Sequence, residues 1–292
     1  MGRNEAFNHG GNVFGAALAG ILSRVINQGA LFYFAAIMGL TTAASAMAIR
    51  EDDIDHRAAR EAVEDADDGT SSWRAIIADH RIAIFAACMI LFHFANAAML
   101  PILGEELATI DHANSGLYMS ACIVIAQAVM TPAALIAGRL AESWGRKPVL
   151  AIGFAVLPIR GLLYTMVRNP YALVSIQILD GIGAGNFGVV AVIVVADLAR
   201  GTGRFNLIQG ALNTGVSIGA SVSNLRTRFI VKHSGFNFGF VSLAAIAAIA
   251  LASLLFAMPE TKTSGDKEHA TRLGRDRNYG RADGAAAAQG RT

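Results

Sequence analysis

The sequence predicts an all-α integral membrane protein with about eight transmembrane helices. Apolar residues make up 54% of the 292-residue chain and charged residues only 16%. Soluble domains carry about 25% charge, so there is too little charge here for a water-facing surface. The mean hydropathy is +0.46. Apolar runs of about 20 residues, enough to cross a bilayer, recur along the chain and are separated by short polar turns.

The runs can be taken in order. The first, about 5–25, has a polar start (Asn8, His9, Asn12) and then a small-residue stretch, G-A-A-L-A-G. The second, 29–49, holds the cleaner F-Y-F-A-A-I-M-G-L. The third to sixth are 82–103, 115–138, 148–168 and 171–197, each apolar with one or two internal polar groups. The seventh, 206–230, is Gly/Ser/Asn-rich, and the eighth, 236–258, ends in V-S-L-A-A-I-A-A-I-A-L-A-S-L-L-F-A-M. Two stretches read as aqueous: acid-rich residues 50–80 and a Gly/Ala/Arg tail, 259–292, without apolar periodicity. This gives four parts: 1–49 with two helices, a linker loop at 50–80, a six-helix unit at 81–258 and a disordered tail at 259–292.

Charge placement sets the orientation. If both termini share a side, that side holds 18 of the 24 Lys and Arg residues and the other holds 5, with Arg160 inside a span. By the positive-inside rule both termini are cytoplasmic in a multi-pass protein of the cell (inner) membrane. The cluster Arg226, Arg228 and Lys232 runs against the rule locally. The polar start M-G-R-N-E-A-F-N-H runs straight into a helix and lacks the pattern of a cleavable leader.

Several classes are disfavoured. A net charge of +2, with bases spread through loops, gives no nucleic-acid surface. Cys88 and Cys122 sit in apolar runs without C-x-x-C or Cys/His spacing, so no metal is expected. The glycines of Gly181–Gly188 lie mid-span with no preceding strand, which argues against dinucleotide binding. No Ser/His/Asp, H-E-x-x-H or paired-carboxylate arrangement stands out. Neither enzyme chemistry nor a cofactor is expected.

The stretch Gly138–Leu150 reads G-R-L-A-E-S-W-G-R-K-P-V-L and must leave the hydrocarbon, because it packs one acid and three bases into a Gly-flanked turn. It resembles the loop after the second helix of each half in the major facilitator superfamily, G-x-L-a-D-r-x-G-R-K-x-x-l. Gly138, Leu140, Gly145, Arg146, Lys147 and Leu150 match, and Glu142 stands where Asp is usual. The resemblance implies twelve helices in two six-helix halves joined by a long cytoplasmic loop. On that plan the chain is an N-terminally incomplete bundle: the last two helices of the first half, the loop at 50–80, and a whole C-terminal half. Gly138, Glu142, Gly145, Arg146 and Lys147 would form a cytoplasmic gating loop, with Glu142 as a latch to a neighbouring base or helix N-terminus. The first span also resembles the fifth-helix element G-x-x-x-G-P-x-x-G-G of proton-coupled antiporters. Gly11, Gly15 and Gly20 match it, while Ala16 and Ala19 replace Pro and Gly. Gly11, Gly15 and Ala19 fall on one face suited to close helix approach or self-association.

Arg160 and Asp180 are the costliest residues, at about 2.5–3.5 kcal/mol for an isolated charge at the bilayer centre on insertion scales. Counted at about 1.5 Å per residue, both lie at matched depth on consecutive antiparallel spans, so they are expected to pair. The pair reads either as structural or as a proton- or substrate-coupled switch, because protonating a carboxylate releases its partner. His93, Asn96, Gln127, Asn186, Asn213 and Asn12 are the other intramembrane polar groups. Each reads as a helix-to-helix hydrogen bond or as a lining of the solute path. In the resembling family, the four helices of each half that face the path correspond to the third, fourth, sixth and seventh spans here. The function so implied is secondary active transport of a small solute, with proton-coupled efflux as the specific form. The alternative is a truncated, non-transporting remnant, or a protein needing a partner to supply the missing helices.

Overall fold

A computed structural model describes residues 2–50, 79–200 and 205–262, with side chains described from residue 10 onward. The expected linker (51–78) and tail (263–292) lie outside the described residues. The elements are α1 Gly2–Val25, α2 Ala30–Met47, α3 His80–Ala97, α4 Met99–Ile110, α5 Ser115–Ser143, α6 Arg146–Met166, α7 Pro170–Ser175, α8 Gln177–Ala199 and α9 Phe205–Ala257. No strand occurs among the described residues.

Six helical stretches are long and apolar enough to cross a membrane: Ala30–Met47, His80–Ile110, Ser115–Ser143, Arg146–Met166, Pro170–Ala199 and Phe205–Ala257. The last has 53 residues and would be about 80 Å long if straight, more than twice a hydrocarbon core of about 30 Å. It is not straight. Gly235 has φ 84° and ψ 170°, a left-handed conformation open to glycine and costly for other residues. Beyond it the chain doubles back, so that the Cα of Gly239 faces Val231 and Thr227. The stretch is therefore two antiparallel passes, as the sequence predicts. α1 is helical over 24 residues, but its polar first half keeps it outside the six.

Local chemistry accounts for other boundaries. The third span is broken at Ala98 into α3 and α4. Pro101, one turn on, has no N–H to give to the carbonyl of Ala97, and its ring crowds that carbonyl. Asp79 caps α3 by accepting from the Arg81 amide at 2.8 Å, and Asn169 caps α7 by accepting from Tyr171 N at 2.9 Å. Pro170 follows at the first helical position, where a missing N–H costs nothing.

The core lies between α3, α4, α6, α8 and α9, where Phe85, Met99, Leu103, Phe154, Tyr164 and Phe240 are fully buried. α9 packs along α3 and α6, α8 along α5 and α6, and α1 along α5. Two contacts are set by glycines. A Cβ on Gly181 would lie 2.5 Å from Ala126 O, and one on Gly185 2.4 Å from Met130 O, so α8 rides on the α5 backbone. α1 meets α5 through a reciprocal pair: Gly20 faces Ser120, and Gly116 faces Ser23. This differs from the sequence expectation, which put the close approach on Gly11, Gly15 and Ala19. Nothing lies within 4 Å of a Cβ on Gly11 or Gly15. The buried edge runs instead through Ala16 and Gly20, because α5 lies to that side. α2 packs on α1 and has no buried residue.

Candidate functional site

Arg160 on α6 and Asp180 on α8 form an ion pair, Nη1 to Oδ1. Arg160 lies in the interior of α6 and Asp180 in the first turn of α8, well inside the Pro170–Ala199 span, and the short α6–α7 connection makes α6 and α8 antiparallel neighbours. The Arg160 side chain is 3% exposed and that of Asp180 20%. Arg160 Nη2 donates to Asn96 Oδ1 at 2.6 Å and lies 3.2 Å from Met99 Sδ. Its Nε is buried without an acceptor. A narrow cleft lined by Phe92, Asn96, Gly153, Arg160, Asp180 and Gly183 opens over the pair. The pair thus gains a third member, Asn96, which the sequence marked only as an isolated polar group.

The other expected site residues do not gather here. Asn186 is buried and donates from Nδ2 to Val149 O at 2.9 Å, tying α8 to α6 nearer the motif loop. His93 is half-buried, with Nδ1 3.2 Å from Met89 O of its own helix and its ring edge-on to Phe92 and Phe187. Gln127 is half-buried on α5. Asn213 is exposed on α9, where it accepts from Gln209 Nε2 at 3.2 Å. Ser217 and Ser221 extend that exposed row at four-residue steps. Asn12 is exposed on α1.

The motif loop is fastened by residues that sequence reasoning passed over. Gly145, at φ 115°, turns the chain so that the first amides of α6 point at Glu260. Arg146 N and Lys147 N donate to Glu260 Oε1 and Oε2 at 2.9 and 3.1 Å. Burial pushes the Glu260 carboxyl up, but the backbone amides of Lys262, Arg146, Lys147 and Thr261 outweigh it and hold the group below its usual pKa. A carboxylate on exposed helix amides is also favoured by the helix dipole. The Arg146 side chain donates through Nε to Asp197 Oδ2 at 3.0 Å and through Nη1 to Ala141 O at 3.3 Å. Asp197 also accepts from Arg200 at 3.1 Å and Thr261 at 3.3 Å. The expectation that Glu142 supplies the latching acid is therefore corrected. Glu142 is exposed and takes part through its backbone carbonyl, which accepts from Lys262 Nζ. The acids at the loop are Asp197 and Glu260. Glu142 lies in the last turn of α5, before the turn at Gly145, and its side chain is on the exposed side.

Four further polar contacts were not foreseen. Gln177 Nε2 donates to Tyr164 Oη at 3.0 Å in the core. At the end of the bundle away from the motif, Arg168 pairs with buried Glu106 and donates to Asn237 at 3.0 Å. Arg228 meets Glu105 at 2.9 Å. Arg228 of the basic cluster that breaks the charge rule is thus answered by Glu105 on α4, and the sequence signal was the Glu105–Glu106 pair just beyond the apolar run 82–103. No group of three or more potential metal ligands occurs among the described residues.

Long apolar helices closed on one another, a charge pair held within the spans and a basic turn at one end are the features of a multi-pass membrane bundle. The chain belongs to the Major Facilitator Superfamily, whose sequence profile matches residues 1–132 and 125–282. It is 43% identical over 267 residues to an MFS-type transporter of Mycobacterium tuberculosis, covering 90% of this chain and 64% of that one. It is 27% identical over 146 residues to multidrug resistance protein 1 of Bacillus subtilis, 49% of this chain and 36% of that one. It is 25% identical over 190 residues to a gallate transporter of Pseudomonas putida, 63% and 41% respectively. The chain thus spans about two thirds or less of the length of these relatives.

Proposed function

We propose that this chain acts in secondary active transport, moving a small solute outward in a cycle linked to protons through Asp180. The observation that carries the reading is Asp180 itself. Among the described residues it is the mid-span carboxylate, it is partly exposed in a cleft, and it holds a buried arginine. Protonation cancels its charge and loosens its hold on Arg160, which gives the cleft two electrostatic states. Outward movement is supported by the named multidrug-resistance relative, and inner-membrane placement with cytoplasmic termini by the base asymmetry.

The test uses everted membrane vesicles carrying the full chain and a pH-sensitive dye. Ethidium, chloramphenicol and benzoate serve as cationic, neutral and anionic probes. At least one should move protons on addition, and Asp180→Asn should abolish that movement. A solute carried without any proton movement would exclude proton linkage.

A second reading, that the functional unit includes helices supplied from outside this sequence, is favoured by α2. No residue of α2 is buried although it is apolar enough to cross a membrane. Blue-native electrophoresis and cross-linking from Tyr33→Cys would reveal such a partner.

A further inference from the structure

We propose that the stretch of α9 before the Gly235 reversal holds an anionic phospholipid, with the headgroup on Arg226 and Lys232 and an acyl chain along the apolar strip beneath them. The starting point is a charge imbalance. At the end of the bundle away from the motif loop, five bases (Arg24, Arg168, Arg226, Arg228 and Lys232) stand against three acids, Glu105, Glu106 and Asp111. Glu106 is taken by Arg168 and Glu105 by Arg228, while Asp111 accepts from Asn114 and Tyr118. Arg226 and Lys232 are exposed and have no ion-pair partner among the described residues. Bases left uncompensated at this end oppose the usual topology signal, so their counter-charge comes from outside the bundle. The acid-rich stretch between α2 and α3 does not supply it, because it begins and ends at the opposite face, a bilayer away.

The two bases sit at headgroup depth. On the second limb of α9, Phe238 lies about 28 Å from Ala257 at 1.5 Å per residue, close to one hydrocarbon thickness of about 30 Å. Gly239 faces Thr227 and Val231 across the reversal, so Phe229 on the first limb stands level with Phe238. Both rings are exposed, as aromatic side chains are at a membrane–water boundary. Arg226 lies about one turn below Phe229, and its long stem can snorkel upwards. Lys232 lies about one turn above, and helical side chains tilt towards the N-terminus, which here is back towards the membrane. Both charges can therefore reach the level of the lipid phosphates.

An acyl track leads up to them. Ile218, Val222, Leu225 and Phe229 are exposed at steps of four, three and four residues, which makes one continuous helical stripe. The His233 ring closes its upper end against Phe229, with centroids 4.2 Å apart. The polar row Asn213, Ser217 and Ser221 lies roughly 110° further round the helix, and its serines bond back to Asn213 O and Ser217 O at 2.8 and 2.9 Å. The limb thus offers lipid an apolar strip that ends in bases, separate from the polar side. A zwitterionic headgroup would bring its own cation against Arg226 and Lys232, so the site selects lipids with a net negative charge. Near an anionic surface each base is worth about fivefold in binding, and two give about tenfold or more.

The proposal is independent of the transport reading, and its test reads the lipid beside the strip. The full chain carries a bimane fluorophore on Val222→Cys, and buried Cys88 and Cys122 leave little background. It is reconstituted into mixed phosphatidylcholine and phosphatidylglycerol bilayers in which one lipid or the other is brominated along its chains. Quenching then gives the relative affinity of the two lipids at the label. Phosphatidylglycerol should be favoured by about tenfold or more at Val222, and should show no such preference at Ile249→Cys, exposed on the second limb. Arg226→Gln with Lys232→Gln should bring the Val222 ratio down to that at Ile249. In the unchanged protein, raising the ionic strength from about 0.01 M to about 1 M should lower the preference severalfold by screening. Equal ratios at the two labels, or a Val222 ratio that neither the double substitution nor salt alters, would overturn the site. Loss of the preference on adding inorganic phosphate or glycerol 3-phosphate would assign the bases to a soluble anion instead. Weak quenching at Val222 by both brominated lipids would mean that a protein covers the strip, and would overturn the site as well.

Discussion

The carboxylate of Glu260 stands where a side chain on Gly145 would have to go. A Cβ at Gly145 would lie 2.6 Å from Glu260 Oε2, and its φ of 115° is itself unfavourable for an L side chain. Gly145→Ala is therefore expected to destabilise by about 1–3 kcal/mol for the backbone alone, with a further loss as Glu260 is pushed off the α6 amides. Thermal unfolding in detergent checks this. An unchanged midpoint would mean that the turn relaxes freely.

Glu260 gives a pH dependence with a definite sign. Its folded pKa is below the usual value, so it adds stability above the unfolded pKa and loses it as pH falls through the folded one. Lowering the pH from about 5 should depress the unfolding midpoint more steeply in the unchanged protein than in Glu260→Gln. Parallel curves for the two proteins would remove Glu260 from the stability of this end.

Arg160 and Asp180 should behave as a unit. Removing one partner strands the other in a dry site, at about 3–5 kcal/mol. Arg160→Ala and Asp180→Ala should each lower detergent-stable yield, and the double substitution should recover much of it. Additive losses in that cycle would show separate partners. Asn96 is the one to examine then, since it already bonds Arg160.

The α1–α5 contact separates two glycines that look alike in sequence. Gly20→Ala puts a methyl 2.2 Å from Ser120 Oγ and should cost about 1–3 kcal/mol by overpacking. Gly15→Ala meets nothing within 4 Å and should be neutral, or stabilise by up to about 1 kcal/mol through helix propensity. Equal losses at both positions would contradict this packing.

Orientation is open to a direct check. Cys88 and Cys122 are buried, so the background labelling should be low. A cysteine at Ala113 should react with an impermeant thiol reagent in intact cells, and one at Ser143 should not. The opposite pattern would invert the topology.

Much of the architecture was legible because hydrocarbon imposes a length on every span and forbids charged turns inside it. That is why Gly138–Leu150, the break before residue 236 and the matched depth of Arg160 and Asp180 could be read directly. What escaped was information about which face is covered. Periodicity places Gly11, Gly15 and Ala19 in line but does not say that α5 lies over Gly20 instead. Asp197 and Glu260 escaped for a related reason. They reach Arg146 across 51 and 114 residues, and each sits at the edge of a span where an acid raises no alarm. Glu142 drew attention because it occupies a motif position, yet its side chain is on the exposed side of the last turn of α5. Asn186, by contrast, had the two readings of any intramembrane amide, and its bond to a backbone carbonyl across a tight helix crossing answers the structural one.

During synthesis, the single-residue reversal at Gly235 is expected to make the last two passes one insertion event. The limb before it carries Asn213, Ser217, Ser221 and Asn224, and would partition into lipid weakly if released alone. The limb after it is mostly apolar, aliphatic with four phenylalanines, and with no intervening loop it arrives at the bilayer directly behind. The apolar limb can therefore draw its polar neighbour in as a hairpin, already paired through Gly239 against Val231. A chain interrupted between the two would leave the polar limb without that help, and its membrane insertion is expected to fall.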